Sequence, residues 1–232
     1  MRHESTPLRK LIDEVNRDCE SVKAIDCLEV AVGVSVRLVE LSENLVGYFV
    51  DESRRAGESW SEIGGRLGVS RQATQKRFVV ADSDSERFWD RTSNGFSALI
   101  ELAESAAKAR QQSFVGTEHV LLAMCERPRD PATAVLASLG INSRELRGAV
   151  DGRIGSPVGQ PGDDDTPFTA KMLRALQLAK REALLMGSND IETVHLALGL
   201  LAMNEGIAFE ILSKLGATYE TVRDAILVAS RR

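Results

Sequence analysis

The segment Phe114-Val115-Gly116-Thr117-Glu118-His119-Val120-Leu121-Leu122 sets a threonine and a histidine at the head of an apolar run, and the chain repeats the pattern. Further on, Thr193-Val194-His195-Leu196-Ala197-Leu198 has the same form. His119 and His195, Leu139-Gly140 and Leu215-Gly216, and Leu146-Arg147 and Val222-Arg223 all differ by 76 positions. Ala103 with Ala179 and Ala107 with Ala183 keep that register. Several agreements at one spacing indicate an internal duplication. Each copy reads as four helices. A long helix covers roughly 93–111 in the first, and the next opens at Thr117. Asp130-Pro131 then supplies a capping side chain followed by a proline suited to a first turn. Asn142, with Glu145 three residues on, has capping-box spacing for the last helix.

Outward from the repeat, strand signals are scarce. No run alternates Val, Ile, Thr and aromatics, and no Asn-Gly turn joins apolar segments. Helical spacing appears instead in Leu8, Leu11, Ile12 and Val15, and again over about 22–56 through Leu38, Leu41, Leu45, Phe49 and Val50. The expected class is all-α, with an N-terminal helical domain at 1–80, a small acidic linker at 81–87 and the duplicated domain at 88–232. Within the latter, repeat 1 covers about 88–155, a Gly/Pro/Asp connection 156–167, and repeat 2 about 168–230. The triplet Asp163-Asp164-Asp165 lies in that connection with no histidine nearby, so it reads as solvated charge rather than a metal site.

The duplicated half resembles the N-terminal domain of Clp unfoldases, most closely the ClpC type, over Phe88 to Ser230. The segment from Phe114 to Leu122, Leu139-Gly140-Ile141 and the Pro167-Phe168-Thr169 opening of the second unit carry the resemblance. It implies an eight-helix bundle of two four-helix pseudo-repeats that receives substrate proteins, adaptors, arginine-phosphorylated proteins and cyclic-peptide antibiotics. Thr117 and Glu118 match the family's phosphoarginine residues in repeat 1. A helix N-terminus offers free N–H groups to phosphate, and a carboxylate can pair the guanidinium. Repeat 2 keeps Thr193 but has Val194 in place of the glutamate, with Glu192 one residue displaced. Phe168 matches an aromatic of the family's peptide face. Phe88 is the counterpart aromatic in repeat 1, although it lies four residues early in the register.

Read without the resemblance, Thr117 and Thr193 are good helix caps in any protein, and Glu118 complements a helix dipole. His119 and His195 are expected as packed histidines with satisfied nitrogens. With only three histidines and no nucleophile–base constellation, the chain is expected to be non-enzymatic, with no cofactor, metal or catalytic residue. No G-x-x-x-x-G-K-[ST] segment occurs, so these residues are expected to unfold nothing by themselves.

In the N-terminal domain, Ser59 to Phe78 reads as a helix-turn-helix. Trp60, Ile63 and Leu67 form an apolar face, Gly68 the turn and Val69 a core plug, and Ser70 caps the second helix. That helix offers Arg71, Gln72, Thr74, Gln75, Lys76 and Arg77, with Ser70 at its head, for base edges and phosphates. Net charge is -5, so binding to DNA depends on such a local patch, and the run from Arg66 to Phe78 is free of acidic residues. The same geometry also serves protein docking. The long helix over 22–56 either packs on the motif or forms a homodimer seam, and both stay open at this stage. Cys19, Cys27 and Cys125 form no C-x-x-C pair and leave at least one thiol unpaired, which favours a reducing cytoplasm. No apolar run approaches membrane-spanning length, and no membrane association is expected.

Two functions fit these features. One is a DNA-binding regulator that captures ClpC-type ligands as a sensor or sequestering protein. The other is an adaptor or decoy for Clp protease components that binds no DNA.

Overall fold

The structure is a computed structural model that describes residues 8–19, 24–74, 85–155 and 166–230. It is all-helical, with two isolated β-bridges and no strand among the described residues. Two compact units form, Met1–Thr74 and Gln75–Arg232.

In the first unit, α1 (Leu8–Asp18) and α2 (Ala24–Arg55) are joined by a Cys19–Cys27 disulfide. The expected reduced thiols are therefore paired here, and Cys125 is the free cysteine. At 1.5 Å per residue α2 is about 48 Å long and α1 only about 16 Å, so α1 covers part of its neighbour's length. Leu11 and Val15 of α1 are half-buried, as are Cys27, Val30, Ala31 and Val34 of α2. Helix α3 (Trp60–Leu67) opens on a capping box between Ser59 and Glu62. Near the far end of α2, Val50 is buried, as is Ile63 of α3, and the Arg54 guanidinium lies 5.0 Å from the Trp60 ring centroid.

Helix α3 ends on Gly68, whose φ of 70° is left-handed backbone that glycine adopts without steric cost. Ser70 then accepts from the Ala73 N–H at 3.2 Å and caps the next helix, whose first turn, residues 71–74, is described. Gly64 permits the crossing: a Cβ there would stand 2.8 Å from the Val69 carbonyl oxygen and 2.9 Å from Thr74 Oγ1. Val69 itself is exposed, and the buried residue that fills the crossing is Thr74.

The second unit opens with α4 (Ser85–Asp90), which starts inside the stretch expected as a linker; residues 81–84 lie outside the described residues. The duplication then emerges element by element. Helices α5 (Asn94–Ala109), α6 (Thr117–Glu126), α7 (Pro131–Ser138) and α8 (Ser143–Ile154) are matched by α9 (Ala170–Leu185), α10 (Thr193–Ala202), α11 (Ile207–Lys214) and α12 (Tyr219–Ala229). Each matched pair starts 76 residues apart.

Helices α6 and α10 are apolar around most of their circumference, the pattern of central helices. Leu121, Leu122, Met124, Leu196, Leu198 and Leu200 are almost wholly buried. Their first neighbours α5 and α9 pack against them. Gly199 sets the closeness of α9 to α10, because a Cβ there would lie 2.7 Å from the Ala175 carbonyl oxygen. The caps are as the residues dictate: Asp130 accepts from the Ala132 N–H ahead of Pro131, and Asn142 from the Glu145 N–H.

Candidate functional site

Two crossed bridges tie the halves together in front of the central helices. Val115 donates its N–H to the Pro167 carbonyl and accepts from the Thr169 N–H, both at 2.9 Å. Ile191 donates to the Arg91 carbonyl at 2.7 Å and accepts from the Ser93 N–H at 3.1 Å. The bridged pairs, Val115 with Phe168 and Ile191 with Thr92, are equivalent under the 76-residue register. Thr92 thus stands where repeat 2 has Phe168. Phe88 lies further back and packs edge-on against Trp89 and Phe96, with centroids 5.1 and 5.8 Å away. Phe168 is half-buried beside its bridge. The two aromatics expected to share a peptide face therefore occupy non-equivalent places.

Directly behind each bridge begins a central helix. His119 accepts the Gly116 N–H on Nδ1 at 2.9 Å, and His195 does the same for Glu192 at 2.9 Å. Each ring satisfies a donor that the helix start leaves open. Burial first and the nearby Arg110 charge second push His119 down to about 4, and burial pushes His195 down to about 4. Both are neutral caps at physiological pH, but the expectation of satisfied nitrogens fails for His119, whose buried Nε2 has no hydrogen-bond partner.

Thr117 is buried, and its hydroxyl lies 3.4 Å from the Ala208 N–H at the head of α11 in the other repeat. Glu118 folds back over Gly116, its Oε2 3.5 Å from Thr117 Oγ1 and its Oε1 3.7 Å from His119 Nδ1. Because that histidine is neutral, the mostly covered carboxylate has no cationic partner among the described residues. A Cβ on residue 116 would overlap the carboxylate, so glycine is what makes its seat.

Repeat 2 reverses this arrangement. Glu192 replaces the glycine and points to solvent, while Val194 replaces the glutamate and is buried. Thr193 is buried as well. Beside them a groove of about 330 Å³ is lined by Ala134, Val135, Glu192, Val194, Ala225 and Ile226, among others. At the matching place in repeat 1, Arg153 pairs with Glu210 at 2.8 Å. The register aligns those two residues with Ala229 and Ala134, which leave the groove open. The sequence reasoning did not find this asymmetry. Alignment of the two copies over α7, α8, α11 and α12 carries its signal, in alanines facing an ion pair.

In the helix-turn-helix, Arg71 and Gln72 are exposed. Thr74, expected on the nucleic-acid face, is fully buried, where its hydroxyl donates to the Ser70 carbonyl at 3.0 Å. It supports the crossing with α3 and is out of reach of DNA. Gln75, Lys76 and Arg77 lie outside the described residues.

The family described as the Clp repeat N-terminal domain matches residues 91–193 and 167–232. An uncharacterized protein of Mycobacterium tuberculosis is 37% identical over 203 residues, covering 86% of this chain and 79% of that protein. The chloroplastic chaperone ClpC of Pisum sativum is 36% identical over 158 residues, 68% of this chain but only 16% of its own length. Among solved structures, the N-terminal domain of the caseinolytic protease associated chaperone ClpD from Arabidopsis thaliana superposes with a TM-score of 0.51. Its identity is 24%, over 65% of this chain and all of that one. A ClpV N-domain in complex with a VipB peptide gives a TM-score of 0.50 at 16% identity, over 61% of this chain and 88% of that one.

Proposed function

Because this chain belongs to the Clp repeat N-terminal domain family, we propose that its second unit receives protein ligands through repeat 1, and that phosphoarginine is the group it reads. The observation that carries this is Glu118. A mostly buried carboxylate lacking a cation is costly unless something supplies one, and a guanidinium does so with two parallel hydrogen bonds. The start of α6 beside it suits the attached phosphate. A ClpV N-domain has been solved with a peptide, which supports reception of a peptide segment by this bundle too. The test compares retention of an arginine-phosphorylated protein by the wild-type chain and by Glu118→Gln. Retention should fall at least tenfold, since a hydrogen bond to a charged group contributes about 1.5–3 kcal/mol. Equal retention by the two chains refutes the assignment of Glu118.

The first unit, in the same proposal, contacts DNA through the helix capped by Ser70, with Arg71 and Gln72 outward, and the whole acts as a non-enzymatic regulator or sequestering protein. Fluorescence anisotropy with the upstream region of its own gene, at two salt concentrations and beside Arg71→Ala, checks this arm. Binding that prefers one sequence and weakens in the variant supports it. A salt-erased background alone favours the adaptor or decoy role.

A further inference from the structure

Repeat 1 holds an open, charged cavity where repeat 2 is filled. In repeat 2, Lys171 in the first turn of α9 reaches Glu205 ahead of α11, its Nζ 3.3 Å from Oε2. A Cβ on Gly206 would touch that lysine's stem at 3.5 Å. The 76-residue register puts Gly95, Arg129 and Asp130 at those three positions in repeat 1. The lysine stem is therefore missing there, and the acid has become an arginine. A cavity of about 380 Å³ remains, lined by Gly95, Arg127, Pro128, Arg129, Asp130 and Pro131. Its wall is firmly held: the Asp130 N–H donates to the Arg127 carbonyl at 3.0 Å, and the Thr133 hydroxyl to the Met124 carbonyl at 3.0 Å. Pro128 and Pro131 fix φ on either side.

Asp130 has an unmet need. Its Oδ1 accepts the Ala132 N–H at 3.0 Å, but Oδ2, on a side chain only 1% exposed, accepts no hydrogen bond. Arg127 Nε stands 3.6 Å away, an ion pair too long for a hydrogen bond. A Cβ on Gly95 would lie 4.0 Å from this oxygen and 3.9 Å from Arg127 Nη2, so both groups face the space beside Gly95. Arg129 is exposed and pairs with no carboxylate among the described residues. The cavity thus offers guanidiniums to an anion and one buried acceptor to a donor.

We propose that this cavity binds an acidic peptide segment, whose carboxylate pairs with Arg129 and Arg127 while a backbone N–H of the same segment donates to Asp130 Oδ2. The donor has to be neutral, because a cation would meet two guanidiniums. A peptide N–H beside an acidic side chain satisfies both demands. A phosphodiester chain carries acceptors alone and leaves the buried Oδ2 unmet. The start of α5 favours the same anion: Ser93 Oγ takes the Phe96 N–H at 3.2 Å, which leaves the earlier N–H groups of the first turn to a ligand. This site goes beyond phosphoarginine recognition and shares no residue with it, so either assignment can fail alone.

Fluorescence anisotropy of the full chain with a labelled peptide carrying two adjacent glutamates tests the site, beside the same peptide with glutamines. The acidic peptide should bind about tenfold more tightly than its counterpart. Arg129→Glu should weaken it by about the same factor. Gly95→Lys/Arg129→Glu, which installs the ion pair of repeat 2, should abolish binding. Asp130→Asn separates a built site from a basic patch. Asparagine still caps α7, so the fold should hold, with circular dichroism as the check. The change removes a negative charge, which would strengthen a diffuse attraction for acids. It also puts an amide N–H where Oδ2 stood, so affinity should instead fall about tenfold. Glu118→Gln should leave the acidic peptide bound as before. Equal binding of the two peptides, undiminished binding by Arg129→Glu, or unchanged or tighter binding by Asp130→Asn would each overturn the proposal. So would loss of the peptide with Glu118→Gln, or its displacement by unlabelled single-stranded DNA.

Discussion

Gly116 and Glu118 act as one device: the first makes room, and the second fills it with charge. Gly116→Ala should keep the fold, because the group it strikes is the end of a flexible side chain, yet turn the carboxylate out and lower ligand affinity about tenfold. Titration calorimetry beside circular dichroism separates the two effects. The histidines make the opposite kind of prediction. Each binds its proton more weakly folded, at about 4, than unfolded, near 6.5. The unfolded chain therefore takes up more protons between those values, so their contribution is complete above about pH 6.5 and is lost as pH falls toward 4. Thermal midpoints of the second unit should drop steeply through that window, and less so in His195→Gln. Thr117, Glu118 and both histidines were legible in the sequence as residues of one motif. Their roles were legible only in part, since spacing names a cap but cannot show that Glu118 lacks a cation.

Among the helices, the register of 76 residues located all four matched pairs, because caps such as Asp130 and Asn142 and the turns at Gly140 and Gly216 are local signals. Contacts between helices carry no such local mark. Gly199 looks like an ordinary glycine in an apolar run, yet it lies against the α9 backbone. Gly199→Ala should destabilise the second unit by about 1–3 kcal/mol, because backbone on both sides must shift. Ala123→Gly at the equivalent site of α6 should cost only about 1 kcal/mol, the intrinsic helix penalty. Denaturant unfolding distinguishes the two. Thr74 teaches the same lesson: a polar residue on a presumed recognition helix reads as outward, and only the crossing at Gly64 shows it inward. Val69 was the converse, an apolar residue left in solvent.

At the scale of the molecule, the chain combines a large, fully cored unit with a small one stapled by a disulfide. Reducing Cys19–Cys27, which closes a loop over a separation of 8 residues, should remove about 2.5 kcal/mol from the first unit on the chain-entropy estimate. The second unit should be untouched, so calorimetric scans with and without reductant should move one transition only. The pairing itself escaped the sequence because an odd number of cysteines, none in C-x-x-C spacing, gives no sign of which two meet. The duplication and the exchange of Glu118 for Val194 were plain in the sequence, but the Arg153–Glu210 pair facing Ala229 and Ala134 was not, since those substitutions are spread over four helices.

If Glu118 is what reads phosphoarginine, repeat 1 binds it and repeat 2, with Val194, does not. Titration of phosphoarginine into the full chain by calorimetry tests it most directly. One site per chain is expected, abolished by Glu118→Gln and unaffected by Val194→Ala. Two sites per chain, or one site that survives Glu118→Gln, would contradict it.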